Sequence, residues 1–369
     1  MKKISVIPSW CFRDEAGHQL DVQLLRLLGA VYRRGKLTKA AAEVGVSYRH
    51  AWNLLRQGDD FFGVPLVELQ RGRGAKLSLL GEKLLWAEQR AMARLGPQLE
   101  SLGSELNLTI QQLCQGASSV LRLHASHGFA VELLPKHLEA LPLDLQYCSP
   151  HESLVALERG ACDVAGFHLP RGSVGERVRA TYDGLLKPQQ HQVIGFIART
   201  QGLMVARGNP LGIDAITSLN ASGIRFVNRQ RSSGTRSLLD CLLEEAHVPS
   251  HQIRGFDIEE YTHSAVAAYV AAGMADVGFG VEAAAQKFGL DFLPLATEDY
   301  LLACHHRALK EPRVQLFLKT LRGAPFQEAV SQLPGYAPSR CGEVMSVDEV
   351  LDAIDPPSLT TFEKNHGCQ

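Results

Sequence analysis

Four short segments of this sequence carry residues suited to holding an anion: Ser126-His127-Gly128, His168, Arg229 to Arg236, and Thr262-His263. They offer hydroxyls, imidazoles and guanidinium groups, with hardly a carboxylate among them. Three of the four stand where a helix is predicted to open, so free N–H groups and the positive end of the helix dipole would add to the side chains. The candidate ligand-binding residues are Ser126, His127, His168, Arg229, Ser232, Ser233, Thr235, Arg236, Thr262 and His263. Ser and Thr favour such positions as plain N-caps too. The crowding of charge and hydroxyls between Arg229 and Arg236 is more than capping requires.

A second set has the chemistry of a nucleic-acid reader. Residues 36–56 divide into two short helices with Gly45 at the turn between them. Thr38 is read as the N-cap of the first helix and as a DNA-binding candidate, and Ser47 as the N-cap of the second. Near the start of the second helix, Ser47, Tyr48, Arg49, His50 and Asn53 would face base edges, where Arg reads guanine and Asn adenine by paired hydrogen bonds. Arg56, further along, suits a phosphate, and Trp52 is read as core. After Phe61-Phe62-Gly63 come two short strand-like runs joined by Arg71-Gly72-Arg73-Gly74, a hairpin wing whose Arg71, Arg73 and Lys76 can neutralise phosphates or enter a minor groove. Residues 21–94 carry thirteen Lys/Arg against seven Asp/Glu, a local +6 that the remaining −7 conceals in a net charge of −1. A basic module joined to an acidic one points to a polyanion partner, double-stranded DNA, for the first part only.

Catalysis finds little support. The sequence has no P-loop, GxSxG, HExxH or CxxC motif. His124 and His127 have a metal-like spacing but fall on a strand and a helix start, and Cys304-His305-His306 is suggestive by composition only. No catalytic residue, metal site or resident cofactor is expected. The eight cysteines stand singly, at 11, 114, 148, 162, 241, 304, 341 and 368, which suits reduced thiols.

The elements that must position these residues follow from periodicity. Apolar residues at 24, 25, 27, 28 and 31 mark a helix that ends at Gly35. Leu84, Leu85, Met92, Leu95, Leu99, Leu102 and Leu106 form a stripe on a long segment after the wing, with Gly96-Pro97 expected to kink or divide it. From about Ser119 strands and helices alternate, implying α/β architecture with a largely parallel sheet. An internal echo joins residues 151–164 to 263–277: an Ala-rich helix, a terminating Gly, then xxDV entering a buried strand. Two matching lobes imply a cleft that closes on a ligand. No apolar run approaches the roughly 20 residues of a membrane span. The apolar stretch after Lys2-Lys3 stops at Pro8, short of the roughly 7–15 residues of an export signal, so a cytoplasmic location is expected.

Thr38 to Arg56, with Ser47-Tyr48-Arg49-His50-Ala51-Trp52, resembles the DNA-binding domain of ModE-type molybdate-responsive regulators and is similar to the LysR-type winged helix. In those families a long helix after the wing pairs two subunits, which implies a homodimer or higher oligomer here. Residues 121 to about 344, notably 228–236, 261–267 and 290–295, resemble the periplasmic-binding-protein-like domain related to molybdate-binding proteins. The resemblance implies an α/β chain: a winged helix-turn-helix at 1–80, a linker or dimerisation helix at 81–117, a two-lobed periplasmic-binding-protein-like sensor at 118–345, and a tail at 346–369. Lobe I would take about 118–198 and 296–345, and lobe II about 199–295. The implied function is a ligand-responsive DNA-binding regulator whose effector is a molybdate- or tungstate-like oxyanion. The three imidazoles would also suit the alternative, an organic anion such as formate or a molybdenum-cofactor-related metabolite.

Overall fold

A computed structural model describes residues 4–70, 74–115 and 120–352. The N-terminal unit packs α1 (Gln23–Arg34), α2 (Leu37–Val44) and α3 (Tyr48–Phe62) around Leu24, Leu28, Ala40, Ala51 and Leu54, with β1 (Val67–Gln70) and β2 (Gly74–Leu77) as an antiparallel wing. Gly35 and Gly45 end α1 and α2 in the left-handed region, as their spacing predicts. Ser47 caps α3 by accepting the His50 N–H at 3.1 Å. Thr38 is not a cap: α2 begins at Leu37, with Lys36 before it, and Thr38 is exposed in the first turn. At Gly74 φ is +109° and a Cβ would lie 2.2 Å from the Gly35 carbonyl oxygen, which accepts the Ala75 N–H at 2.8 Å. Only glycine lets the wing lie this close to the end of α1.

The helix after the wing, α4, runs unbroken from Leu79 to Gln115. Gly96-Pro97 does not divide it into two helices. Proline removes one helical N–H, the one that would reach the carbonyl four residues back. That carbonyl, Ala93, accepts the Thr262 hydroxyl instead, at 2.9 Å. A tertiary hydrogen bond thus fills the gap in the ladder.

The remainder builds one sheet with helices on both faces. β3 (Leu121–Ala125), α5 (Phe129–His137), β4 (Leu143–Tyr147), α6 (Pro150–Glu158), β5 (Val164–Pro170) and α7 (Ser173–Ala180) make the first lobe. β6 (His191–Val205) then crosses to the second, which holds β7 (Phe226–Arg229), α8 (Gly234–Glu245), β8 (Glu259–Glu260), α9 (His263–Ala271), β9 (Val277–Val281) and α10 (Glu282–Lys287). β10 (Asp291–His305) crosses back, followed by α11 (Pro312–Arg322), α12 (Ala324–Ser331), β11 (Tyr336–Pro338), β12 (Val344–Ser346) and α13 (Val347–Asp352). The strand order is β4-β3-β5-β10-β6-β9-β7-β8, with β11 and β12 on β6.

The sheet is mixed rather than largely parallel. β3 pairs in parallel with β4 and β5, and β7 with β8 and β9, but the crossing strands β6 and β10 run antiparallel to their neighbours. Strand alternation divides the interior: Val227 and Leu302 enter one core, and Phe226 and Leu301 the other. The start of the segment read as a tail also belongs to the fold, because Val347 in α13 is fully buried. Residues 353–369 lie outside the described residues.

The internal echo has a structural counterpart. Asp163 accepts the Arg122 backbone N–H at 2.9 Å and its guanidinium at 2.7 Å. Asp276 does the same for Arg225, at 2.8 and 2.6 Å. In each lobe the Asp of xxDV ties its own strand to the first residues of the adjacent parallel strand.

Candidate ligand cleft and nucleic-acid interface

The cleft lies where β6 and β10 pass between the lobes, and it has a volume of about 600 Å³. Ser126 and His127 reach it from the end of β3, and His168 from β5. Arg229 comes from the end of β7, Ser232, Ser233 and Thr235 from the start of α8, and His263 from the start of α9. This brings eight of the ten residues read from the sequence to one cavity.

The other two face elsewhere. Thr262 is 1% exposed; its hydroxyl accepts the Ala265 N–H as the N-cap of α9 and donates to Ala93. Arg236 is buried against Asp240 at 2.9 Å, with its guanidinium 4.2 Å from the centre of the Phe256 ring. Both residues hold helix starts in place and are absent from the cleft lining.

The sequence reading missed the floor of the cleft. Arg199 and Glu298 are direct cross-strand partners on β6 and β10, and both are buried. Glu298 Oε1 accepts from Arg199 Nε at 2.6 Å and from Gln201 Nε2 at 2.6 Å. Arg199 Nη2 lies 3.4 Å from His168 Nδ1. The available signal was a short polar run, Arg199-Thr200-Gln201, between the apolar stretches Ile194–Ala198 and Gly202–Val205 of one strand.

Arg229 is buried beside this pair without a carboxylate partner among the described residues. It donates to Gln230 Oε1 at 3.1 Å and to the Tyr261 carbonyl at 3.1 Å. Burial, reinforced by the Arg199 charge, pushes its guanidinium down to about 9. Burial also holds His168 and His263 well below the usual histidine range, with the charges of Arg199 and Arg229 adding to the effect. Both imidazoles are therefore neutral near pH 7, and the buried floor holds two guanidiniums against one carboxylate.

Ser126 Oγ, Arg199 Nη1, Arg229 Nη1 and His263 Nδ1 are buried without a hydrogen-bond partner among the described residues. Such groups are costly unless something pairs with them. Gly234 keeps the space open: a Cβ there would meet His168 Cδ2 at 2.9 Å. His127 stands at the rim, 3.0 Å from Glu132 Oε1 and edge-on to Tyr147.

The candidate nucleic-acid surface is the outer face of α3. Ala51, Leu54, Leu55 and Gly58 turn inward, leaving Tyr48, Arg49, His50, Asn53 and Arg56 exposed, with Ser47 at the cap. His50 Nε2 lies 3.3 Å from Gln23 Oε1. Trp52 is 44% exposed and sits one turn beyond Tyr48 on this face, so it is not core. Lys76 is exposed on β2, whereas Arg71 and Arg73 lie outside the described residues. Among the described residues, no group of His, Cys, Asp and Glu is placed to hold a metal ion, and no helix is long and apolar enough to cross a membrane. The described cysteines are free thiols.

Residues 131–322 match the model of the PBP superfamily domain. The chain belongs to the PBP superfamily. Residues 22–82 match the bacterial regulatory helix-turn-helix protein, lysR family. The chain thus joins a helix-turn-helix unit similar to that of lysR-family regulators to a PBP-superfamily domain. An uncharacterized protein, YvgK of Bacillus subtilis (strain 168), is 30% identical over 225 residues, which is 60% of this chain and 72% of that one. The molybdenum-pterin-binding protein MopB of Rhodobacter capsulatus is 31% identical over 124 residues, 32% of this chain and 45% of that one. Among solved structures, a probable transcriptional regulator from Pseudomonas aeruginosa aligns with a TM-score of 0.43 at 19% identity, covering 82% of this chain and 98% of that one. Full-length CbnR complexed with its target DNA aligns with a TM-score of 0.37 at 15% identity, covering 82% and 99%.

Proposed function

We propose that this chain is a cytoplasmic, LysR-type transcriptional regulator that senses a small anion in the interlobe cleft and binds double-stranded DNA as a homodimer or higher oligomer through α3 and the wing. The observation that carries the sensor half is the buried floor, with its excess of one positive charge and its unpaired Arg199 Nη1, Arg229 Nη1 and Ser126 Oγ. An anion would neutralise that charge and accept those hydrogen bonds. A molybdate- or tungstate-like oxyanion fits the donor set, and the partial likeness to MopB favours it. The cleft volume favours a second reading, an organic anion: about 600 Å³ lies well inside the range of sites for small organic molecules. No resident cofactor is proposed.

Thermal-shift screening of the full-length protein tests the sensor half, using molybdate, tungstate, sulfate, formate and pterin phosphates. An anion present at a hundred times its Kd stabilises by about 2.7 kcal/mol. We expect at least one of these anions to raise the melting temperature, and Ser126→Ala with Thr235→Ala to weaken that response. If none does so, the anion reading fails. For the reader half, Arg49→Ala and Asn53→Ala are expected to abolish selection of a preferred sequence from a random DNA library. Selection that survives both changes together with Lys76→Ala would remove α3 and the wing from the docking surface.

A further inference from the structure

The linker helix does more than join the two units. α4 lies antiparallel along α9 and is fastened to it at several points. Lys83 Nζ donates to the Ala272 carbonyl at the end of α9, at 2.6 Å. Arg90 pairs with the fully buried Glu260 at 2.5 Å, and its guanidinium lies 4.5 Å from the centre of the Tyr269 ring. Thr262 closes the proline gap at Ala93. The next turn of α4 then reaches the cleft, whose lining includes Arg94, Pro97 and Gln98 opposite Ser126, His168, Arg199 and Arg229.

Arg94 rests 4.9 Å from the centre of the Tyr261 ring and has no carboxylate partner among the described residues. The carboxylates at the mouth are engaged elsewhere. Glu152 accepts the Ser149 N–H at 2.8 Å, and Glu259 lies 3.5 Å from both Arg231 and Arg236. The outer part of the cleft thus presents an uncommitted cation from α4, above a floor that already carries a positive excess.

We propose that α4 is the third wall of the ligand cleft and that Arg94 and Gln98 are ligand-binding residues, contacting the outward side of an anion whose inward side meets Arg199 and Arg229. This rests on the anion reading of the cleft given above. α4 starts two residues after the wing, so Arg94 stands about 22 Å along the helix from the DNA-reading unit at 1.5 Å per residue. A ligand gripped by lobes and helix together changes the seating of the element that carries that unit.

Calorimetric titration of the full-length protein with molybdate, inorganic phosphate and citrate tests this. Arg94→Glu is expected to weaken each anion that the wild type binds by about tenfold or more. Gln98→Trp, which fills the mouth, should weaken them by at least threefold. Arg307→Glu, an exposed charge reversal near the far end of β10, should leave affinity within twofold. Far-UV circular dichroism and the anion-free melting temperature, unchanged in all three, show that the fold is intact. If the wild type binds these anions and the two α4 variants bind them equally well, the third wall is refuted and the anion cleft stands. Equal weakening by Arg94→Glu and Arg307→Glu refutes it too, because a long-range charge effect then suffices. An anion found only in the thermal-shift screen is titrated against the same variants; if the wild type binds neither these three nor any anion of that screen, the anion reading itself falls, and this proposal with it.

Discussion

His168 and His263 sit fully inside the fold beside two guanidiniums, and their neutrality has a measurable cost in acid. In the unfolded chain each takes up a proton near pH 6.5, whereas the folded protein resists protonation until lower pH. Stability is therefore retained above about pH 6.5 and lost as pH falls below it, by up to about 1.4 kcal/mol per pH unit for each histidine. We expect His168→Gln and His263→Gln to show a shallower loss than wild type between pH 6.5 and 5 in denaturant titrations without anion. An unchanged slope would mean that the imidazoles are not held neutral. The histidines were legible from sequence because His263 opens a helix and His168 lies among the last residues of a short apolar strand. Arg199 and Glu298 were not, because a charged residue in a strand reads as outward-facing and their partnership spans 99 positions.

Among the elements, α4 shows how a local rule is overridden. An interior proline costs a helix about 3 kcal/mol, part of it through an unpaired carbonyl. The repair comes from Thr262, 169 positions away, so no reading of the helix by itself could find it. Thr262→Val should cost about 1–2 kcal/mol through the lost α9 cap and the orphaned Ala93 carbonyl. In a Pro97→Ala background the backbone N–H returns to that carbonyl, so the same change should cost less. A double-mutant cycle by chemical denaturation measures the difference, and strict additivity would show that the two sites do not communicate. Caps written in adjacent residues, such as Ser47 and Gly45, were legible because the hydrogen bonds they make are local. Thr38 misled because Lys36 can open a helix without a side-chain cap. Trp52 misled because an indole was assumed to seek the core.

At the scale of the whole molecule, α4 leaves a ridge uncovered. Leu95, Leu102, Leu106 and Leu113 are exposed on its outer side, and Leu102, Leu106 and Leu113 fall in the spacing of a two-helix seam. If this ridge joins two subunits, Leu102→Glu with Leu106→Glu should convert the protein to monomers at micromolar concentration in sedimentation velocity. Wild type that sediments as a monomer with and without anion would exclude the ridge as a dimer seam. Rings also connect the units within one chain: Tyr32 on α1 packs edge-on to Trp86 on α4 at 5.5 Å, and Trp86 lies 6.2 Å from Phe288 beside α10. The two-lobed plan was readable from the repeated xxDV pattern, because each copy encodes the same Arg–Asp contact. The antiparallel crossing strands were not readable, since no local pattern records which distant strand a central strand will join.

Those crossing strands also set the order in which the protein can be made. β5 ends at Pro170, but its inner neighbour β10, toward the centre of the sheet, does not finish until His305. At a synthesis rate of about 5–20 residues per second, β5 waits roughly 7–27 s on the ribosome for its pairing partner. The helix-turn-helix, built from contacts within residues 20–85, needs no such wait. Nascent chains stalled near residue 150 should already bind DNA nonspecifically, while protease resistance of the first lobe should arise only in chains stalled well past residue 305.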